Sequence, residues 1–198
     1  MAADAENLWD DHADAFDDAA DHGLRDPVVR EAWQSLLTPL LPEPPARVCD
    51  VGCGTGSLSV LVAAAGLAVT GLDISTRMLG IAREKARAAG VGVAFVHGDA
   101  ADPPFPAGTF DAVLSRHVLW SFADRDAVLA RWVALLRPGG RLILVEGSWS
   151  TGAGLTADEC RDAVLRRRRE AEVRSLSADD RLWGGPVDDE RYLIVSRR

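Results

Sequence analysis

The sequence has few cysteines and no excess of basic residues. Three cysteines occur among 198 residues, Cys49, Cys53 and Cys160, and they show neither CxxC spacing nor the even count of a disulfide framework. This favours a reducing compartment, so we expect a cytoplasmic location. The 22 basic and 30 acidic residues give a net charge of −8, which repels phosphate backbones. We therefore expect no nucleic-acid partner, and we interpret the basic run at 166–169 as a solvated helix face.

Long apolar segments are also missing. The acidic first 18 residues lack the basic region and apolar core of a signal peptide. The longest apolar run, 58–71, is too short and too rich in small residues to span a bilayer. We expect no membrane partner. The length predicts a single domain over 1–198, with a helical cap at 1–45 and a core at 46–198.

From residue 47 onward, short Val/Leu/Ile-rich runs alternate with amphipathic, Ala/Arg-rich stretches. This alternation is typical of a parallel sheet covered by helices, so the predicted fold class is α/β. Strands are predicted at 47–51, 68–73, 93–97, 110–115 and 141–146, and helices at 57–65, 76–89 and 124–136. The tail is predicted to hold a helix at 156–170 and two antiparallel strands, 172–176 and 191–196. Within the cap, helices are predicted at 8–20 and 27–41.

The first predicted strand runs into a glycine-rich loop, DVGCGTG, at 50–56. Such a loop lets the backbone approach a ligand closely. Its spacing excludes two phosphate-binding motifs: Ser57 stands where a dinucleotide fingerprint needs its third glycine, and no lysine follows as in GxxxxGK[ST]. The carboxylate of Asp50 matches pyrophosphate poorly and suits an ammonium group. The loop therefore indicates a ligand with an amino-acid portion.

Two further acids stand at strand ends. Asp73 ends the second predicted strand, where a carboxylate can accept hydrogen bonds from both hydroxyls of a ribose. Asp99 follows the third strand and can accept the exocyclic amine of adenine, with Ala100 offering a backbone N–H. Either acid alone is equally well explained as a cap or turn residue. Both together, after this loop, favour a nucleoside ligand.

Five motifs in order, VCDVGCGTG, GLDIS, GDAADPPFP, FDAVLSRHVLW and LLRPGGRLILVE, resemble the class I S-adenosylmethionine-dependent methyltransferases. The resemblance covers 47–147 and is strongest to the type 11 group of small bacterial enzymes similar to the ubiquinone/menaquinone methyltransferases. It implies a Rossmann-like, doubly wound sheet of seven strands in the order 3-2-1-4-5-7-6, with strand 7 antiparallel, and a short N-terminal helical cap. It also implies S-adenosylmethionine as cofactor, S-adenosylhomocysteine as product, and methyl transfer to O, N or C of a small molecule, secondary metabolites included.

The resemblance assigns roles residue by residue. Gly52 and Gly54 would line the methionine part, and Arg116 would offer its backbone carbonyl to the amino group. Met78 either packs on the adenine face or belongs to the helix core, and for Cys53 packing is the alternative to cofactor contact. No metal site is predicted. The cofactor-binding candidates are Asp50, Gly52, Cys53, Gly54, Asp73, Ile74, Met78, Asp99, Ala100 and Arg116.

The acceptor side is less specified. A catalytic base is needed only when the acceptor is protonated, and His117, after the fourth strand, is the first candidate for base or substrate contact, with His22 of the cap as the second. A structural role beside Trp120 is the alternative for His117. Substrate-binding candidates are aromatic, and plain core packing is their alternative: Trp9, Phe16, Trp33, Trp120 and Trp149.

Two other functions stay open at this point. One is a catalytically silent S-adenosylmethionine-binding protein that acts as a regulator or partner subunit. The other is a nicotinamide dehydrogenase, which Ser57 disfavours.

Overall fold

The structure, a computed structural model, describes residues 2–197. Seven strands in this range form one sheet in the order β3-β2-β1-β4-β5-β7-β6. The strands are β1 Arg47–Val51, β2 Ala68–Asp73, β3 Val93–His97, β4 Phe110–Arg116, β5 Leu136–Ser148, β6 Glu172–Ser175 and β7 Glu190–Ser196. Strands β1 to β5 are parallel, and β7 runs antiparallel to β5 and β6. The predicted α/β class, strand order and antiparallel strand 7 are confirmed.

Helices connect these strands and form the cap before β1. They are α1 Ala2–Phe16, α2 Ala20–Gly23, α3 Pro27–Leu37, α4 Ser57–Ala64, α5 Thr76–Ala88, α6 Arg125–Ala134, α7 Ala157–Leu165 and α8 Asp180–Trp183, with 3-10 turns at Thr38–Leu40 and Leu119–Ser121. Side-chain caps start several of them. Asp26 accepts the N–H of Val28 at 2.7 Å before α3, and Ser75 accepts that of Met78 at 3.0 Å before α5.

Some predicted helix ends were wrong. Helix α3 ends at Leu37 instead of 41, since Pro39 has no N–H with which to continue it. In the cap, the helix predicted at 8–20 is two helices, α1 and α2. Helix α8, a single turn between Asp179 and a left-handed Gly184, was not predicted.

The basic run 166–169 lies outside helix α7, which ends at Leu165 instead of 170. Two of its arginines bind other elements. Arg166 pairs with Asp126 of α6 at 2.7 Å, and Arg168 donates to the Gly140 carbonyl oxygen at 2.7 Å and to Ser196 Oγ at 3.0 Å. Arg166, Arg167 and Arg169 are exposed, so the run is solvated as predicted but lies in a turn instead of a helix.

Alternation along the strands divides the core into two layers. Val48 faces a layer that includes α3, α4 and α8, whereas Cys49 faces the layer with α6 and α7. The cap shares the first layer: Trp33 of α3 is fully buried, meets the ring of Trp183 edge-on at 5.6 Å and donates to the Leu182 carbonyl oxygen at 2.8 Å. Within 2–197, no helix is both long and apolar enough to cross a bilayer.

Adjacent valines on α3 test whether cap and sheet fold as one unit. Val29 is 1% exposed and belongs to the shared layer, while Val28 is 57% exposed. We expect Val29→Ala to lower the free energy of unfolding by about 2 kcal/mol, because the methyl groups leave a cavity. Val28→Ala should change it by less than about 0.5 kcal/mol. Urea unfolding followed by circular dichroism should show one transition, and a separate transition sensitive only to Val29→Ala would contradict the single-domain prediction.

Candidate active site

The loop 50–56 joins β1 to α4, and its backbone N–H groups donate hydrogen bonds within the protein. Gly52 and Cys53 donate to the Leu72 carbonyl oxygen at 2.8 and 3.0 Å, and Gly56 donates to that of Cys53 at 2.9 Å. Gly52 has a φ of +70°, and a Cβ there would stand 2.4 Å from Cγ2 of Val118. These donors are not free to surround a phosphate, which agrees with the loop's spacing.

Two buried carboxylates flank this loop. Asp50 accepts the hydroxyl of Ser59 at 2.6 Å, and burial raises the pKa of Asp50 to about 6. Asp73, at the end of β2, accepts the N–H of Gly54 at 2.7 Å and that of Ser75 at 2.9 Å. Burial also raises the pKa of Asp73. Burial disfavours the charged form of both acids, so a ligand that brings positive charge or hydroxyl donors would be stabilised here.

Helix α1 and the residues after it lie across the carboxyl ends of the strands. Successive contacts reach β3, β2, β1 and β4 in their order in the sheet. They are Glu6 with His97 at 3.2 Å, Asp10 with Ser75 Oγ at 2.5 Å, Phe16 with Gly54, and the Asp21 carbonyl oxygen with Arg116. The cap therefore covers the edge where parallel α/β sheets bind ligands.

Asp17 fixes the cap to the glycine loop. It accepts the hydroxyl of Thr55 at 2.5 Å and pairs with Lys85 Nζ at 2.8 Å. Lys85 also donates to Ser57 Oγ at 2.7 Å. The side chains of Asp17 and Lys85 are 8% and 22% exposed. No sequence pattern indicates this cluster, because its members lie far apart in the chain.

His117 follows β4 in a left-handed conformation, with a φ of +58°, which is uncommon outside glycine and concentrates at functional sites. Its ring meets Trp149 edge-on at 5.2 Å and stacks on Trp183 at 6.2 Å, with His22 at 6.5 Å. Nε2 of His117 is buried without a hydrogen-bond partner among the described residues. Burial is the main cause that holds the pKa of His117 well below its usual range, and the positive charge of Arg116 is the second. The imidazole is therefore neutral.

His22, in the cap, resembles His117 in its aromatic surroundings. His22 stacks on Phe16 with the ring centroids 4.3 Å apart, and burial lowers the pKa of His22. Asp21, His22 and His117 each offer one ligand atom, all within 4.8 Å of one another, a spacing that suits a metal ion. No metal site was predicted from the sequence. The arginine beside this cluster, Arg116, opposes an added cation.

The remaining cofactor candidates lie along β2, α5 and the end of β3. Met78 is 1% exposed at the start of α5, and the Ile74 carbonyl oxygen contacts His97 Nε2 at 2.9 Å. Asp99 accepts the N–H of Ala101 at 2.7 Å, and Ala100 is buried beneath Trp132. Burial raises the pKa of the Cys53 thiol, which suits packing rather than thiol chemistry.

Four of the five aromatic candidates lie at the covered edge. Trp9 packs edge-on against Phe16 at 6.3 Å, and Trp120 against Trp149 at 5.4 Å. Trp33 differs. It has no exposed surface and lies in the core with the Arg116 guanidinium 5.0 Å from its ring centre, so it supports the site from below instead of facing it.

Glu146 of β5 was missed by the sequence analysis, where it appeared only as the end of an apolar strand. It is fully buried and accepts the N–H groups of Val118 and Leu119 at 3.1 and 2.7 Å. These bonds hold the turn that carries His117. Burial raises the pKa of Glu146 to about 8, so its carboxyl is largely neutral at pH 7.

The chain is similar to known proteins over its central region. Residues 49–144 match a family described as a methyltransferase domain. The demethylmenaquinone methyltransferase of Thermus thermophilus is 42% identical over 117 residues, which cover 58% of this chain and 53% of that protein. The nocamycin O-methyltransferase of Saccharothrix syringae is 42% identical over 119 residues, covering 57% and 42%. The chain therefore spans about half the length of these curated relatives.

A solved structure shares the fold over most of the chain. The magnesium protoporphyrin IX methyltransferase of Synechocystis, determined with bound S-adenosylmethionine, superposes with a TM-score of 0.64 and 28% identity. The match covers 87% of this chain and 77% of that one.

The raised pKa of Glu146 predicts how stability depends on pH. The folded state retains a proton that the unfolded state releases, so the stabilisation is complete below the ordinary glutamate pKa and is lost as pH rises to about 8. We expect the melting temperature to fall by about 8–16 °C more between pH 5 and pH 9 in the parent protein than in Glu146→Gln. Glu43→Gln, at an exposed position, is the control. Parallel profiles for all three proteins would contradict a neutral buried Glu146.

Proposed function

We propose that this chain, whose residues 49–144 match a methyltransferase domain family, binds S-adenosylmethionine and methylates O, N or C of a small molecule. The observation that carries the proposal is the pair of buried acids, Asp50 and Asp73, around a glycine loop whose three glycine N–H groups are already bonded. Such a site suits a cationic amino-acid nucleoside and repels a dinucleotide. The names of two relatives, a demethylmenaquinone methyltransferase and a nocamycin O-methyltransferase, support a quinone or a secondary metabolite as the acceptor.

The chain's own residues have distinct roles in this proposal. Bound S-adenosylmethionine supplies an electrophilic methyl group on a sulfonium sulfur. Asp50 holds the ammonium group, and Asp73 accepts the ribose hydroxyls with lone pairs that its two backbone N–H donors leave free. Asp99 and Ala100 face the adenine. We assign 1–45 as the cap of a single domain, because helix α1 lies across these positions and excludes water from them.

The neutral imidazoles of His117 and His22 are the candidate proton acceptors. A hydroxyl acceptor must lose its proton as its oxygen attacks the methyl carbon, and His117 and His22 are both in the form that accepts one. The unpartnered Nε2 of His117 is the first candidate atom. Most of the rate enhancement is expected from alignment, which can contribute about 7–11 kcal/mol.

Calorimetric titration with S-adenosylhomocysteine tests cofactor binding. Asp73→Asn loses a charged acceptor for the ribose, and we expect affinity to fall by about 10- to 100-fold. Asp158→Asn, whose side chain is 81% exposed on α7, is the control and should bind normally. Equal affinities for the two variants would contradict the assigned site. Transfer of a labelled methyl group to a panel of phenols, quinols and amines then separates a methyltransferase from a silent cofactor-binding protein, which would bind without transfer.

The raised pKa of Asp50 gives an independent prediction for the same ligand. An ammonium group needs the ionised carboxylate, so affinity should fall as the pH drops through about 6. Between pH 7.5 and pH 5, we expect about a tenfold loss of affinity for S-adenosylhomocysteine. Asp50→Asn should bind weakly at both values, with little pH dependence. A parent protein whose affinity is the same at both pH values would remove Asp50 from the ammonium site.

A further inference from the structure

Arg191 of β7 is a half-buried arginine that the proposed function does not use. Its guanidinium lies between two indole rings, 5.2 Å from the centre of Trp149 and 5.5 Å from that of Trp183. Its side chain is only 12% exposed. Among the described residues, Nε and NH1 are buried without a hydrogen-bond partner. Buried donors without acceptors are costly, so they mark a place where a ligand would be stabilised.

The ion pair with Asp189 leaves most of the N–H donors of the Arg191 guanidinium free. Asp189 meets NH2 at 3.2 Å, which does not satisfy Nε and NH1. The backbone makes room for the group: a Cβ at Gly147, on the neighbouring strand β5, would stand 3.0 Å from NH1. A guanidinium presents its donors as a planar fork that matches a carboxylate.

The same two tryptophans hold His117. Its ring lies 5.2 Å from Trp149 and 6.2 Å from Trp183. Burial first, and then the positive charges of Arg116 and Arg191, lower the pKa of His117. The two guanidinium groups favour an anion over an added metal ion beside His117. His117 and Trp149 keep part of their surface exposed, so a ligand can reach the rings beside the guanidinium.

We propose that Arg191, between Trp149 and Trp183, binds an anionic group of the methyl acceptor, so that the acceptor is a flat molecule carrying a carboxylate or a similar acidic group. The inference rests on the proposed function and names its substrate class. The indole faces would contact the planar part of the acceptor, and Arg191 would fix its orientation beside His117. Arg191 is then a specificity-determining residue, distant in sequence from the motifs of the cofactor site.

Benzoate and benzamide test this proposal because they differ mainly in charge. With saturating S-adenosylhomocysteine present, we expect calorimetric titration to show benzoate binding at least about tenfold more tightly than benzamide. Arg191→Gln should abolish this preference, and Arg191→Lys should retain part of it through its charge. Arg168→Gln removes another half-buried arginine, which binds Ser196 at the opposite end of β7 from Arg191, and should leave the preference unchanged.

The outcomes separate the two proposals. Normal binding of S-adenosylhomocysteine without a benzoate preference in the parent protein, or with the same preference in Arg191→Gln, would overturn the anion site alone. Failure of the parent protein to bind S-adenosylhomocysteine would overturn the proposed function. If Arg191→Gln does not fold, as judged by its circular dichroism and melting curve, the parent's comparison of benzoate with benzamide and the Arg191→Lys result still decide.

Discussion

The carboxylate of Asp73 joins three elements at one point. It ends β2, receives the Gly54 N–H from the glycine loop, and receives the Ser75 N–H that precedes α5. Ser75 in turn caps α5 and binds Asp10 of the cap. One buried acid therefore helps to fix the shape of the loop, the start of α5 and the position of α1. Because charge-assisted bonds to backbone N–H groups are among the stronger hydrogen bonds in proteins, this point is well placed to define where a ligand lies.

The acidic cap is held by bonds of unequal value. Arg77 and Asp14 pair at 2.6 Å, but their side chains are 50% and 77% exposed, so the pair contributes little and is screened by salt. Asp17 with Lys85 and Thr55 is largely buried and hydrogen-bonded. Removal of one member would leave a buried charge without its partner. The Asp17 cluster, rather than the number of acids in the cap, therefore fixes α1 over the sheet edge.

Much of the fold was readable from local signals. Residue types at fixed spacing predict the strands, the helix caps Ser75 and Asp26, and the acids at strand ends.

The site could be predicted from the sequence only in part. Glu146 reads as the end of an apolar strand until the fold places the Val118 and Leu119 N–H groups beside it. Arg191 belongs to no sequence motif, and it lies near His117 only because β7 pairs with β5. Trp33 was assigned to the site by composition, but its depth in the core is set by packing against Trp183.

The covered edge has two electrostatic halves. Beside the glycine loop lie the buried acids Asp50 and Asp73, and burial raises the pKa of each. At the end of β4, Arg116 and, from β7, Arg191 add positive charge around a neutral His117. The acids would stabilise a cation, and the arginines would stabilise an anion near the end of β4. A reaction that joins a cationic donor to an electron-rich acceptor needs this polarity, since each reactant is then drawn to its own side and the reacting atoms meet at the end of β4.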